Sequence, residues 1–137
     1  MSQMRHDAFT AALGNPLELH AMIEKGLPVS LLDQVASSLG LKVEAMAALC
    51  GVSRATFHRK KADRARLGHF ESDMLARYAA LLNRAAEVFE DRGTAGEWLR
   101  TPQVGLGGAK PMDLAQTTQG YREVEKLLTR IDHGVYA

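Results

Sequence analysis

The chain has 137 residues, of which 46% are hydrophobic and 24% charged, and its formal net charge is +1. These values are typical of a globular protein with one domain, or with two small domains that share a core. No apolar run approaches the roughly 18 residues needed to span a bilayer, and the N-terminus has no secretory signal pattern. The single cysteine, Cys50, fits a reducing compartment. We therefore expect a cytoplasmic protein.

Helical patterns follow one another along almost the whole chain, and no stretch alternates convincingly with the two-residue period of a strand. Asn15 and Pro16 begin a predicted helix that ends at Gly26. Further helices are predicted at residues 30–39, 43–50, 53–62, 72–91, 94–99, 111–117 and 119–132. We expect Gly93 to end the longest helix and Thr94 to cap the next one. The predicted fold class is therefore all-α.

A basic block lies in the middle of this nearly neutral chain. Residues 41–70 carry seven basic and two acidic side chains, which gives them a net charge of +5. A local block of this kind suits contact with a phosphate backbone. The alternative is a solvated helix face on which the charges cluster by chance.

The residues in this block resemble a helix-turn-helix motif over about residues 43–61. The small Ala47 permits a close helix crossing, and Gly51 suits a left-handed turn between the helices. Val52 and Phe57 are spaced to fill the core beneath the second helix, and Ser53 caps that helix. The alternative is a helical corner that never contacts DNA.

In the motif that these residues resemble, the second helix enters the major groove of DNA. The resemblance implies these DNA-binding candidates: Ser53, Arg54, Ala55, Thr56, His58, Arg59, Lys60 and Lys61. Arg54 or Arg59 suits a bidentate contact with guanine. Lys60, Lys61, Arg64 and Arg66 suit contacts with phosphates.

The C-terminal half carries a second and more specific resemblance. Its signature residues are Ala95, Trp98, Leu99, Pro102, Leu106, Gly107, Gly108, Pro111, Leu114, Thr117, Gly120, Val124, Arg130, Ile131, Gly134, Val135 and Tyr136. Over about residues 73–137 this arrangement resembles the toxin-binding domain of the Xre/MbcA/ParS antitoxins. Met74 stands where family members often have a basic residue, and Ala115 where leucine is common, but neither breaks the motif.

The resemblance implies an all-α antitoxin with a helical helix-turn-helix region at residues 1–70 and a small toxin-binding domain at residues 71–137. Such antitoxins block RES-domain toxins, which degrade NAD, and bind their own operator DNA, usually as a homodimer within a larger toxin–antitoxin complex. The candidate toxin-binding residues are Arg130, His133, Gly134, Val135, Tyr136 and Ala137. Tyr136 combines an apolar ring with a hydroxyl, which is common at interface hot spots. The alternative for this tail is that it folds back onto its own domain.

Within the same domain, Trp98 is expected to anchor the core, and Gly107 and Gly108 to permit a turn. We expect no catalytic residues, metal site or cofactor, and we expect the protein not to be an enzyme. Two other functions remain open from the sequence. One is a stand-alone helix-turn-helix transcription regulator without a toxin partner. The other is a small enzyme that uses Cys50 or a histidine.

Overall fold

The computed structural model describes residues 2–134, with side chains from residue 7 onward. The predicted all-α class is confirmed, since these residues contain helices and no strand, only an isolated bridge between Pro28 and Arg66. The α-helices are α1 (Ser2–Ala12), α2 (Pro16–Lys25), α3 (Ser30–Leu39), α4 (Val43–Leu49), α5 (Arg54–Ala62), α6 (His69–Phe89), α7 (Arg92–Leu99), α8 (Pro111–Leu114) and α9 (Thr118–Asp132). A short 3-10 helix, Val104–Leu106, lies between α7 and α8. No described helix is long and apolar enough to cross a membrane.

Local capping explains why several helices begin where the sequence predicts. The Asn15 side chain accepts a hydrogen bond from the Glu18 amide at 3.2 Å. The Ser53 hydroxyl accepts one from the Thr56 amide at 3.2 Å. Each bond satisfies an amide that has no partner within the first turn of its helix. The predicted starts of α2 and α5 are therefore confirmed.

The junction between α6 and α7 differs from the prediction. The chain leaves α6 at Glu90, which has a positive φ of 58°, and Gly93 lies inside α7. Asp91 caps α7, because its carboxylate accepts hydrogen bonds from both the amide and the hydroxyl of Thr94 at 2.8 Å. The prediction that Gly93 ends α6 and Thr94 caps α7 was wrong, because an Asp cap at residue 91 satisfies the helix start three residues earlier.

The described chain divides into two compact units. The first contains residues 2–37 and 41–79, and the second contains residues 38–40 and 80–134. The division in the second half of the chain falls within α6, between Ala79 and Ala80. The expected domain boundary after residue 70 stays a prediction.

Among the residues whose side chains the structure describes, the first unit has a well-buried apolar core and one buried polar side chain. The core residues of this unit include Phe9, Leu27, Leu31, Leu32, Val35, Met46, Val52, Phe57, Leu75 and Tyr78. Ser72 is also fully buried, and its hydroxyl accepts a hydrogen bond from the Leu27 amide at 2.9 Å. Because an unpaired buried amide is costly, this bond accounts for a hydroxyl in an apolar core.

The second unit is smaller and consists mainly of the end of α6 and of α7, α8 and α9. Its buried residues include Leu81, Leu82, Ala85, Leu99, Met112, Val124, Leu127 and Leu128. Trp98 is half-buried, and its ring lies 5.4 Å from that of Phe89 between centroids. This is a position expected of an aromatic side chain that anchors a small core.

Candidate functional site

Helices α4 and α5 form the predicted helix-turn-helix. Ala47 is fully buried, and its carbonyl accepts a hydrogen bond from the Val52 amide at 2.8 Å, which closes the turn. Gly51 has a φ of 85°, a left-handed conformation that favours glycine. Val52 and Phe57 are buried, at 3% and 1% exposure. The four residues therefore have the structural roles that the motif predicts.

Phe70 lies over the turn, and the sequence pattern did not identify it. A Cβ atom on Gly51 would lie 3.3 Å from Cε1 of Phe70, so the ring covers the glycine closely. The ring is nonetheless 68% exposed. At the first turn of α6, the sequence pattern does not show whether a large apolar side chain is exposed or buried.

Two of the DNA-binding candidates also serve the structure of α5. The Ser53 hydroxyl donates a hydrogen bond to Thr56 Oγ1 at 2.9 Å, in addition to capping the Thr56 amide. These two hydroxyls therefore fix the start of α5. Ala55 lies between them in the chain and is exposed.

The other candidates on α5 separate into unpaired and paired side chains. Arg54 and Arg59 are exposed, and neither has a hydrogen bond or ion pair with the described residues. His58 lies with Nε2 3.9 Å from Glu44 Oε2, and its ring packs against Phe57. The two arginines thus have guanidinium groups available for a ligand.

Lys60 and Lys61 are held by contacts within the first unit. Lys60 Nζ donates a hydrogen bond to the Arg66 carbonyl at 2.9 Å. Lys61 Nζ lies 3.3 Å from Asp33 Oδ1 and 5.5 Å from the centroid of the Phe57 ring. Both lysines still contribute positive charge to this surface, but their side chains are more restricted than those of the two arginines.

At the C-terminal end, the structure describes three of the six toxin-binding candidates. Arg130 is half-buried, and its Nε is buried without a hydrogen-bond partner among the described residues. His133 caps the end of α9, and Gly134 follows with a φ of 76°. Both are exposed. The candidates Val135, Tyr136 and Ala137 lie outside the described residues.

The end of α9 is linked to α6 by an ion pair. Arg84 Nη2 lies 3.4 Å from Asp132 Oδ2, immediately before His133. Earlier in α9, Arg130 lines a shallow groove together with Arg122, Glu125, Lys126 and Thr129. This side of the helix therefore carries both basic and acidic side chains, and the Arg84–Asp132 ion pair fixes its end.

The turn expected at Gly107 and Gly108 is present. Their φ values are 66° and 86°, both in the left-handed region. A Cβ atom at either position would meet nothing within 4 Å, so the backbone conformation, rather than a close neighbour, requires glycine there.

Cys50 belongs to the core of the first unit. Its side chain has 0% exposure, and burial, with a smaller contribution from the Glu71 carboxylate, raises the pKa of its thiol to about 12. A thiol in that state carries no nucleophilic thiolate at neutral pH. Among the described residues, no group of three His, Cys, Asp or Glu side chains is placed to hold a metal ion.

Two models of known protein families match this chain, one after the other along its length. Residues 18–80 match the antitoxin Xre-like helix-turn-helix domain. Residues 84–134 match the antitoxin Xre/MbcA/ParS C-terminal toxin-binding domain. The chain belongs to the Xre antitoxin family. The gap between the two matches lies close to the division of α6 between the compact units.

Individual relatives of this Xre antitoxin support the same assignment. A protein of Photorhabdus laumondii named Antitoxin Xre is 26% identical over 118 residues, covering 85% of this chain and 80% of the relative. An Antitoxin Xre of Yersinia enterocolitica is 28% identical over 116 residues, covering 84% and 78%. A Sphingobium protein named Prs ADP-ribosylating antitoxin is 26% identical over 132 residues, covering 90% and 83%.

The protein is thus an antitoxin of a toxin–antitoxin system, and its C-terminal domain implies a toxin partner. Its two departures from the family pattern, Met74 and Ala115, are both buried, at 5% and 0% exposure. An apolar side chain is compatible with each of these positions.

Proposed function

We propose that this Xre antitoxin binds a RES-type toxin through its C-terminal domain and sterically blocks the toxin's breakdown of NAD. The observation that carries the proposal is the order of the matched domains, with the helix-turn-helix domain at residues 18–80 and the toxin-binding domain at residues 84–134. This order fits a protein that contacts both a toxin and DNA. The chemistry belongs to the toxin, so inhibition requires only that the antitoxin cover the active-site cleft.

The end of α9 is the proposed point of entry into that cleft. The Arg84–Asp132 ion pair holds the last turn of α9, and the exposed His133 and Gly134 follow it. In the proposed mechanism, residues 134–137 occupy the cleft and exclude NAD. Tyr136 is assigned the main contact, because aromatic side chains that bury an apolar ring and keep a polar partner supply much of the affinity of interfaces.

The helix-turn-helix is proposed to bind the operator of the antitoxin's own operon. Helix α5 would enter the major groove, with Arg54 and Arg59 towards base edges and Lys60 and Lys61 towards phosphates. The exposure of the two arginines, and their lack of partners among the described residues, support this division. Binding as a homodimer would place two α5 helices on half-sites about one helical turn of DNA apart.

Co-expression with the neighbouring gene product tests the toxin proposal. The two proteins should purify together, and the mass of the complex gives the stoichiometry. NAD turnover by the purified toxin should fall to background when the antitoxin is present in excess. The alternative of a stand-alone transcription regulator would be favoured if the neighbouring gene encoded no RES-type protein and if the antitoxin did not inhibit NAD breakdown by a purified RES-type toxin.

The Sphingobium relative suggests a second readout for the same experiment. Its name, Prs ADP-ribosylating antitoxin, links that protein to ADP-ribosylation. Transfer of ADP-ribose also consumes NAD, so NAD loss detects both kinds of toxin. NAD labelled in its ADP-ribose part then distinguishes them, because only a transferase joins that part to a protein, with nicotinamide as the leaving group.

A further inference from the structure

The segment between α7 and α8 is a loop of uncharged residues, one of several uncharged stretches in the chain. Residues 101–109 contain no charged side chain, whereas 24% of the whole chain is charged. The segment lies inside the matched toxin-binding domain. A loop that carries no cation of its own is poorly suited to the phosphates of DNA, which are the main source of affinity in that kind of contact.

Hydrogen bonds hold this uncharged segment in one conformation. The Gln103 amide donates to the Ala109 carbonyl at 3.0 Å, and the Gly108 amide donates to the Gln103 carbonyl at 2.9 Å. These bonds close the segment on itself. The Gln103 side chain adds bonds from Nε2 to the carbonyls of Trp98 at 3.2 Å and Thr101 at 3.0 Å. The loop is therefore ordered before any partner binds.

An exposed valine stands on this closed loop. Val104 is 92% exposed, although it begins the 3-10 helix that packs against α9. Gly107 and Gly108 expose bare backbone beside it, with nothing within 4 Å of where a Cβ atom would stand. A single exposed apolar residue is ordinary. An apolar tip on a preordered, uncharged loop is instead suited to insertion in a matching pocket, because little conformational freedom is lost on binding.

We infer that the loop of residues 101–109 is a second docking element for the toxin, with Val104 inserted into an apolar pocket on the toxin surface. This inference rests on the proposed toxin binding and adds a contact separate from residues 134–137. The loop lies in the domain matched as toxin-binding, and its lack of charge favours a protein partner over DNA. Contact with a second copy of this chain is the competing outcome.

The test compares Val104→Glu with Leu17→Glu in the full-length chain. Both side chains are highly exposed, at 92% and 83%, so neither substitution disturbs a core. Leu17 lies outside both family matches and serves as the control. Affinity for the RES-type protein is measured by calorimetry, and the mass of the free antitoxin by light scattering. Val104→Glu should weaken toxin binding about tenfold or more, and Leu17→Glu should leave it unchanged.

A Gln103→Ala variant tests the ordering of the loop without altering the exposed tip. It should also weaken toxin binding, by less than Val104→Glu, because the loop would lose two side-chain hydrogen bonds. Wild-type affinity in Val104→Glu would overturn the inference while the proposed function stands. A reduced mass of free Val104→Glu with normal toxin affinity would assign the loop to a second copy and also overturn it. A wild-type chain that binds no RES-type protein would instead remove the proposed function and this inference together.

Discussion

Gly120, in the first turn of α9, lies directly against the backbone carbonyl of Leu114, so that a Cβ atom at residue 120 would overlap the carbonyl oxygen. The close approach joins α9 to the end of α8, two elements that pack against each other in the second unit. A backbone carbonyl cannot rotate away as a flexible side chain can. The glycine is therefore required for packing at this position.

We expect Gly120→Ala to destabilise the second unit by about 1–3 kcal/mol, because the backbone must shift to make room for the methyl group. Trp98, the chain's only tryptophan, lies in that unit and reports its unfolding by fluorescence in guanidinium chloride. Gly14→Ala is the control, since the nearest atom to its Cβ is 4.0 Å away. Equal unfolding midpoints for the two variants would contradict the packing argument.

The contrast between Arg59 and Lys61 predicts unequal effects on DNA binding. Arg59 is unpaired among the described residues, whereas Lys61 is already engaged with Asp33. Arg59→Ala should cost about 1–3 kcal/mol of operator binding if it contacts a base, and Lys61→Ala should cost less. Fluorescence anisotropy with DNA from upstream of the antitoxin's own gene measures both, and the salt dependence reports phosphate contacts.

Lys110→Ala is the matched control for this series, because Lys110 is an exposed cation in the second unit. It should bind DNA like the wild type. The assignment of α5 to DNA would fail if Arg59→Ala and Lys110→Ala had the same affinity.

Burial of Cys50 predicts an unreactive thiol. With a pKa of about 12 and 0% exposure, the thiol should resist a disulfide reagent at pH 8 in the folded protein and react at once in guanidinium chloride. Because its pKa is raised, the folded state holds this proton more tightly than the unfolded state, so stability should fall as pH rises above about 9. Rapid labelling of the folded protein would show instead that the thiol is accessible. The Cys50→Ala variant, which has no thiol, measures the background of the assay.

The Asp91 cap predicts a dependence of stability on acid pH. The hydrogen bond from the Thr94 amide, and to a smaller extent the one from the Thr94 hydroxyl, holds the pKa of the Asp91 carboxyl below its ordinary value of 3.8. The stabilisation is fully present above that value and is lost as pH falls through the lower, folded-state pKa. Asp91→Asn keeps a capping oxygen but does not titrate. The wild type should therefore lose more stability than Asp91→Asn between about pH 5 and pH 3, measured by thermal unfolding. Parallel curves of thermal stability against pH for the wild type and Asp91→Asn would contradict the role of Asp91 as a titrating cap.

The sequence predicts most helices because their ends carry strong local signals. Asn15 and Ser53 are side chains that cap a helix, and Gly26 adopts the positive φ expected of a stop. The α6–α7 junction escaped prediction because Glu90, a residue that rarely adopts positive φ, makes the break. Gly93 carried the usual stop signal, yet lies inside a helix.

The candidate site was predictable only at the level of residue type and helix position. Ala47 and Gly51 identify the helix-turn-helix because both act through local geometry. The pairing of Lys61 with Asp33 joins residues 28 positions apart, so no local pattern reveals it. The exposure of Val104 was equally hidden, since it depends on how residues 103–109 close on themselves.

The most direct test of the proposed mechanism is NAD turnover by the purified RES-type toxin in the presence of full-length antitoxin or of a chain ending at His133. Inhibition through residues 134–137 predicts that the full chain abolishes turnover. The shortened chain should leave turnover largely intact while still binding operator DNA with normal affinity. Equal inhibition by the two chains would contradict the proposal that these four residues block the active site.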